Sequence, residues 1–369
     1  MSDNIFVSRR TVMRRRVALI TVVVAVSVGL VGCGSHSGTA SPPASPSWSE
    51  ESVTFQVGEM TVYGTFRHPA GQSPGVPAAL LIAGSGPTDR DGNSAVMPGQ
   101  IDTLRNLAQA LSDSGVASLR YDKLGTGQTG VGPYAKDPGK LDMAVFQDEA
   151  SAALSFLAGR PGVDKHRLMV IGHSEGALYA LLLATAASGT VPSVRALGLL
   201  EPQSRRVLDH VLEQLHAQAD AAVAAGKLTT AQAAEYTAAF DKAIQEFRAT
   251  GQVPADEPAA LKPIINAANA NILQQEDAVN PADMAAKLPR GMPVLVSCSD
   301  ADTQVNCADV DQLVSGLTSA GTNTDFVHLT GVNHVLKEDA SKAPDNYTRP
   351  LPFSAQLTAA LASFVKGNL

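Results

Sequence analysis

The sequence predicts an α/β domain: a mostly parallel central sheet, helices on both of its faces, and a helical cap inserted between two strands. Three observations lead there. Short, continuous apolar runs closed by breakers or polar residues recur along the chain. Segments with helical periodicity stand between them. One long stretch, residues 204–288, holds no convincing strand pattern. Alternating strand and helix is the pattern of βα units, whose parallel strands are apolar on both faces because helices cover both.

The elements follow in order. Val53, Phe55 and Val57 alternate with polar residues, and Val62, Gly64 and Phe66 resume beyond Gly58, which predicts a hairpin. The strand-like runs are Ala78 to Ala83, Val116 to Tyr121, Arg167 to Ile171, Arg195 to Leu200, Pro293 to Ser297 and Asp325 to Leu329. Helical patterns cover Ile101 to Ser114, Asp142 to Ala158, Glu175 to Ala187, Asp309 to Ala320 and Pro352 to Lys366. In the stretch from Ser204 to Leu288, Val207, Leu208, Val211, Leu212 and Leu215 fall at helical spacing. Gly226 can stop that helix. Thr229 with Gln232 then makes a capping-box pattern ahead of Phe240, Ile244 and Phe247.

Composition narrows the function. The 369 residues are 44% hydrophobic and 17% charged, enough to bury a substantial core. The formal net charge is -7 and no basic stripe follows the amino terminus, which argues against a nucleic-acid partner.

The amino terminus reads as a targeting segment. Arg9, Arg10, Arg14, Arg15 and Arg16 precede the run Val17 to Val31, which falls short of the roughly 20 residues of a spanning helix. A basic start and a short apolar centre predict a signal peptide. Leu30-Val31-Gly32-Cys33 resembles the bacterial lipobox. That resemblance implies removal of residues 1–32, a lipid on Cys33, and an exported chain anchored to the cell membrane outside the cytoplasm. Ser8 to Met13 also resembles a twin-arginine signal, so the export route stays open. Residues 33–50, rich in Ser and Pro and including Trp48, read as a flexible tether, which puts the folded domain at 51–369.

The chemistry centres on Gly172-His173-Ser174-Glu175-Gly176, between an apolar run and a helical one. A serine between a strand and a helix sits on a strained turn, and flanking glycines remove side chains that would collide there. Among the 8 histidines, His334 alone follows a strand's carboxyl end in a loop on the side where Ser174 emerges. His36 lies in the tether, His68 and His166 lie away from that end, and His210 and His216 lie in the cap. His328 lies within a strand, and His173 is expected to point away from the serine. Asp300 and Asp302 both follow the run Pro293 to Ser297, and residue reasoning alone hardly separates them. Gly125-Thr126-Gly127-Gln128-Thr129-Gly130 matches a dinucleotide fingerprint, but no helix opens on it. No cofactor is expected. Asp89-Arg90-Asp91 reads as an ion-paired loop, and no His/Cys cluster has metal-ligand spacing, so no metal is expected.

With four more segments, this elbow resembles the α/β-hydrolases, and among them bacterial acyl hydrolases and esterases. The segments are Ala83 to Gly92, Arg120 to Gly127, Ser299 to Val305 and Gly331 to Lys337. Ala83 stands where that group often has histidine, and Leu124 where it often has arginine. The resemblance implies the α/β-hydrolase fold and Ser174 as nucleophile, His334 as base and Asp302 as the acid, in the chain order of that fold. It implies an oxyanion hole from the backbone N–H groups of Ser85 and Glu175. The expected reaction is cleavage of small-molecule acyl esters through an acyl-enzyme. A serine peptidase on short peptides and a non-catalytic surface-anchored binding protein are the alternatives. With Cys33 lipidated, Cys298 and Cys307 remain, outside the cytoplasm and flanking the acid loop, and are expected to pair. Substrate identity and oligomeric state are not legible.

Overall fold

The computed structural model describes residues 47–71, 75–97 and 99–369. The expected signal peptide, Cys33 with its expected lipid, and most of the expected tether lie outside the described residues. No helix among the described residues is long and apolar enough to cross a membrane.

An eight-stranded sheet organises the chain, in the order β1-β2-β4-β3-β5-β6-β7-β8. β1 (Trp48–Val57) and β2 (Met60–Pro69) form the hairpin, turning at Gly58, and β2 pairs antiparallel with β4 (Ala117–Tyr121). From there every pairing is parallel: β3 (Val76–Ile82) lies between β4 and β5 (Val163–His173), followed by β6 (Ala196–Leu200), β7 (Pro293–Ser299) and β8 (Asn323–Leu329). Helices α1 (Thr103–Asp113), α2 (Met143–Ala158), α3 (Gly176–Thr185), α8 (Cys307–Ala320) and α9 (Ala355–Asn368) cover the two faces. One core, with Leu80, Leu119 and Leu154, fills one face. A second, with Leu81, Leu107 and Leu361, fills the other. Alternate residues of β3 serve the two cores, as strand geometry requires.

Two boundaries differ from the sequence reading. β1 begins at Trp48, so residues 48–50 belong to the sheet rather than to a tether ending at 50. Trp48 packs on the core, and Glu50 accepts from Arg67 and Arg120 (3.3 and 3.2 Å), so its polar start is held by cross-strand and interior partners. The cap also ends before residue 288. Helices α4 (Val207–Ala224), α5 (Thr230–Thr250) and α6 (Ala270–Asp277) share a core of their own around Leu208, Ile244 and Phe247. The short α7 (Pro281–Ala285) is part of the body, because Ala285 and Leu288 are buried in the first core. The capping box at Thr229 and Gln232 opens α5. Asp277 closes the cap: its buried carboxylate accepts from Arg206 (2.8 Å), from Arg248 (2.7 and 3.0 Å) and from the Leu208 N–H (2.9 Å).

Candidate active site

The parallel strands bring their carboxyl ends to one edge, and the candidate residues stand in the loops just beyond it. β5 ends at His173 and α3 begins at Gly176, so Ser174 occupies the turn between them. Its φ is 55°, in the left-handed region that is strained for a residue with a side chain. The flanking glycines have a steric reason. A Cβ on Gly172 would lie 2.2 Å from the Gly176 carbonyl oxygen, and one on Gly176 would lie 2.3 Å from that of Ile82. The turn is held by bonds from the Ser174 N–H to Leu200 O (3.0 Å) and from the Gln203 N–H to Ser174 O (3.1 Å).

Asp302 and His334 meet on the adjoining side. His334 Nδ1 lies 2.7 Å from Asp302 Oδ2, with both side chains buried. Asp302 Oδ1 accepts from the N–H groups of Gln304 (2.7 Å) and Val305 (3.1 Å). Burial opposes ionisation of Asp302, but the His334 charge and these bonds outweigh it and hold the carboxyl below its usual range. Asp300 points elsewhere: it is exposed and accepts from the Gly331 N–H (2.7 Å), bracing the histidine loop from outside. Ser174 makes no hydrogen bond to His334 in this conformation, although both line one cavity of about 110 Å³. In unliganded sites such bonds often tighten only when substrate arrives.

The sequence reading missed two neighbours of this pair. His173 does not point away from the site. Its Nε2 lies 2.7 Å from His334 O, and its ring packs 4.9 Å from the His334 ring, so it supports the histidine loop from beneath. Burial, with the His334 charge, holds its pKa down to about 3, so it is a neutral prop. Glu201, just past β6, is fully buried with φ 43°. One of its oxygens accepts from Ser297 Oγ (3.2 Å), and the other finds no donor. Burial first, and then the Asp302 charge beside it, push the Glu201 carboxyl well up, so it is held as the neutral acid. The β5–β6 register, which pairs His173 with Leu200, sets Glu201 level with Ser174. Reading that from sequence would have required the register.

Of the two residues expected to supply an oxyanion hole, Ser85 lines the same cavity as Ser174 and Glu175 follows it in the chain. Neither the Ser85 nor the Glu175 N–H donates within the described residues. Glu175 is the N-cap of α3, where a positive partial charge gathers. Gly84 approaches the serine so closely that a Cβ there would lie 3.1 Å from Ser174 Cβ.

The other singled-out segments are structural. Arg90 binds Asp122 (2.5 Å) and Asp91 binds Arg120 (2.7 Å), while Asp89 caps its own turn through the Asp91 and Asn93 N–H groups (both 2.9 Å). The 125–130 glycine segment folds back on itself over the Asp122 carboxylate, and no α-helix follows before α2. Cys298 and Cys307 are joined by a disulfide across the acid loop. His210, Glu213 and Asp309 bring ligand-type atoms within 4.8 Å of one another, but Arg205 already binds both carboxylates (3.1 and 2.8 Å).

No family model matches the chain, and no curated protein matches it in sequence. Solved structures match its shape. It is similar to Est1E from Butyrivibrio proteoclasticus, determined with ferulic acid bound, at TM-score 0.52 and 17% identity over 86% of this chain and 98% of that one. It is similar to the Pyrococcus furiosus esterase Pf2001 at TM-score 0.53 and 14% identity, over 87% and 91%. It is similar to the α/β hydrolase GrgF from Penicillium at TM-score 0.52 and 14% identity, over 87% and 99%. Sheet order, elbow and these likenesses define the α/β-hydrolase fold, carrying a helical cap.

Proposed function

We propose that this protein is a serine hydrolase that cleaves carboxylic esters through an acyl-enzyme. One observation carries the reading: a serine held at φ 55° beside two undonated N–H groups, with a buried His334–Asp302 pair opening on the same cavity. The solved structures named above include esterases, which agrees with ester chemistry.

The proposed steps use these groups. His334 accepts the Ser174 proton as Oγ attacks the ester carbonyl. The carbonyl electron pair moves onto oxygen, where the N–H groups of Ser85 and Glu175 receive it. The tetrahedral adduct collapses, and His334 returns the proton to the departing alkoxide. Water, deprotonated by His334, then attacks the acyl-serine, and His334 returns that proton to Ser174 Oγ as the carboxylic acid departs. Asp302 holds the imidazole tautomer and stabilises its charged form. The cavity of about 110 Å³ at Ser174 is smaller than the ~150 Å³ that accommodates benzene, which favours short acyl groups. Between cap and acid loop, a wider groove of about 960 Å³, lined by His210, Gln214 and Gln304, offers room for the rest of the substrate.

We also propose that the mature chain is exported and anchored through a lipid on Cys33. The basic and apolar leader ending at Cys33 supports this, as does a disulfide that persists in oxidising compartments.

A fluorophosphonate probe should label Ser174 in the wild type and leave Ser174→Ala unlabelled. Nitrophenyl acetate and butyrate should turn over faster than the dodecanoate. Full labelling of Ser174→Ala would remove the nucleophile assignment. Turnover of aminoacyl amides with no turnover of esters would replace the esterase reading with the peptidase one.

A further inference from the structure

Lys123 is a buried lysine that the steps above leave unused. It follows β4, and the sheet register explains its neighbours. Leu81 of β3 pairs with Arg120 of β4, and Ile82 pairs with Gly172 of β5. Continuing both pairings past the strand ends sets Gly84 between Lys123 and Ser174. The side chains agree with the register: Lys123 Nζ donates to Gly84 O at 2.5 Å, while Gly84 faces Ser174 on its other side. The same ammonium lies 3.4 Å from Glu175 Oε2 and 5.9 Å from the centre of the Phe146 ring.

These contacts have a geometric consequence. Gly84 O and the Ser85 N–H belong to one peptide plane, and in a trans peptide they point in opposite directions. A cation that grips the carbonyl therefore fixes the direction of the N–H opposite it, in the loop that packs against Ser174. It also draws electron density along the amide and makes that N–H a stronger donor. Through Glu175, Lys123 holds the residue that supplies the other N–H. The burial of this ion pair would otherwise bring little stability, since desolvation offsets most of the attraction.

We propose that Lys123 is the positioning residue of the oxyanion hole: one ammonium that aims the Ser85 N–H through the Gly84 carbonyl and ties it to Glu175. The proposal rests on the serine hydrolase reading. Lys123 touches no reacting atom, and its effect appears only as the carbonyl oxygen gains charge.

The test compares the wild type with Lys123→Met, Lys123→Gln and the double variant Lys123→Met/Glu175→Gln, which leaves no uncompensated buried carboxylate. The readouts are kcat and KM for nitrophenyl acetate and the affinity of a trifluoromethyl ketone. Ser174 Oγ adds to that ketone's carbonyl and passes its proton to His334, so the resulting hemiketal oxyanion occupies the hole. For Lys123→Met and for the double variant, kcat should fall about 30-fold, less than the ~10²–10³ typical of deleting a donor outright. KM should stay within about twofold, and ketone affinity should fall by the same factor as kcat/KM. Lys123→Gln keeps a donor for Gly84 O and should recover part of the loss. Should Lys123→Met fail to fold, the double variant and Lys123→Gln carry the same comparison. Wild-type ketone affinity in the folded variants, or a loss confined to KM, would overturn the proposal and leave the hydrolase reading intact. A wild-type protein that fluorophosphonate does not label would overturn both.

Discussion

The body buries apolar side chains against both faces of a sheet, and each candidate residue stands on a loop that leaves the carboxyl end of a strand and runs into a packed helix or turn. The cap above it has a single small core around Leu208, Ile244 and Phe247, and it closes through ions: Arg206 and Arg248 converge on Asp277. In the body, packing sets position, and a changed functional side chain leaves the scaffold standing. In the cap, charged contacts on Asp277 join the helices around that small core. A unit with its own small core can open locally at a lower free energy than the body.

The largest expected effect falls on the body. Asp302→Asn should lower kcat by up to roughly 10⁴, because an asparagine stabilises the wrong imidazole tautomer and no charge. Its thermal midpoint should change little. Asp300→Ala should cost far less, since Asp300 only braces the Gly331 N–H. Ester hydrolysis rates for the two variants decide it: near-normal turnover in Asp302→Asn with crippled turnover in Asp300→Ala would reverse the assignment.

The cap carries the next effect. Asp277→Ala removes the carboxylate shared by Arg206, Arg248 and the Leu208 N–H, a loss of about 3 kcal/mol, set at the low end for buried pairs because Arg206 is partly exposed and Arg248 keeps Asp209. Hydrogen exchange should show α4, α5 and α6 losing protection together while β5 and β6 keep theirs. If protection fell uniformly across both regions, the cap would not be a separate cooperative unit.

The same contrast explains what sequence made legible. Strand runs beside Pro77, Gly84 and Pro293 placed β3 and β7 to within two residues at each end, because a fully apolar run beside a breaker has few other readings. The elbow was legible because two glycines and a serine satisfy a steric requirement that is visible locally. The ends of the cap were not. Asn280 and Pro281 mark a break between α6 and α7, but only tertiary contacts assign α6 to the cap and α7 to the body. Glu201, His173 and Lys123 escaped for another reason. Their contacts depend on the register between neighbouring strands, a long-range property that no local pattern carries.

A smaller effect is expected where the body's acid loop is stapled. The Cys298–Cys307 disulfide closes a loop of sequence separation 9, between the end of β7 and the start of α8, and Asp302 lies inside it. Closing so short a loop contributes about 2–3 kcal/mol by the chain-entropy argument. The Cys298→Ser/Cys307→Ser variant should lower the thermal midpoint by several degrees and reduce kcat only a few-fold, because the Gln304 and Val305 N–H groups still hold Asp302. Two free thiols in exported protein, counted by mass spectrometry, would show that the bond does not form.

The remaining effect is electrostatic, read as a slope against pH, and it appears in both regions. Glu149, on α2 in the body, is fully buried, and burial lifts its pKa from an ordinary 4.5 to about 8 against the opposing Leu124 N–H and the Lys123 charge. Its Oε1 accepts from Leu124 N (2.8 Å), and its Oε2 finds no hydrogen-bond partner, a cost that would be larger still for an ionised oxygen there. Glu276, on α6 in the cap, rises to about 8 through burial and the charge of Glu175. The sign follows from proton counting. Between about pH 4.5 and 8 the folded chain keeps a proton on each carboxyl that the unfolded chain has lost, so stability falls as pH rises across this window and levels off above it. Each group contributes at most ~1.4 kcal/mol per pH unit, and about half that once water reaches the site. Glu149→Gln should flatten the pH dependence of the global unfolding midpoint. Glu276→Gln should flatten only the pH dependence of hydrogen exchange in α4 to α6, because the cap opens by itself. If both variants changed the global midpoint equally and left cap exchange untouched, cap and body would unfold as one unit.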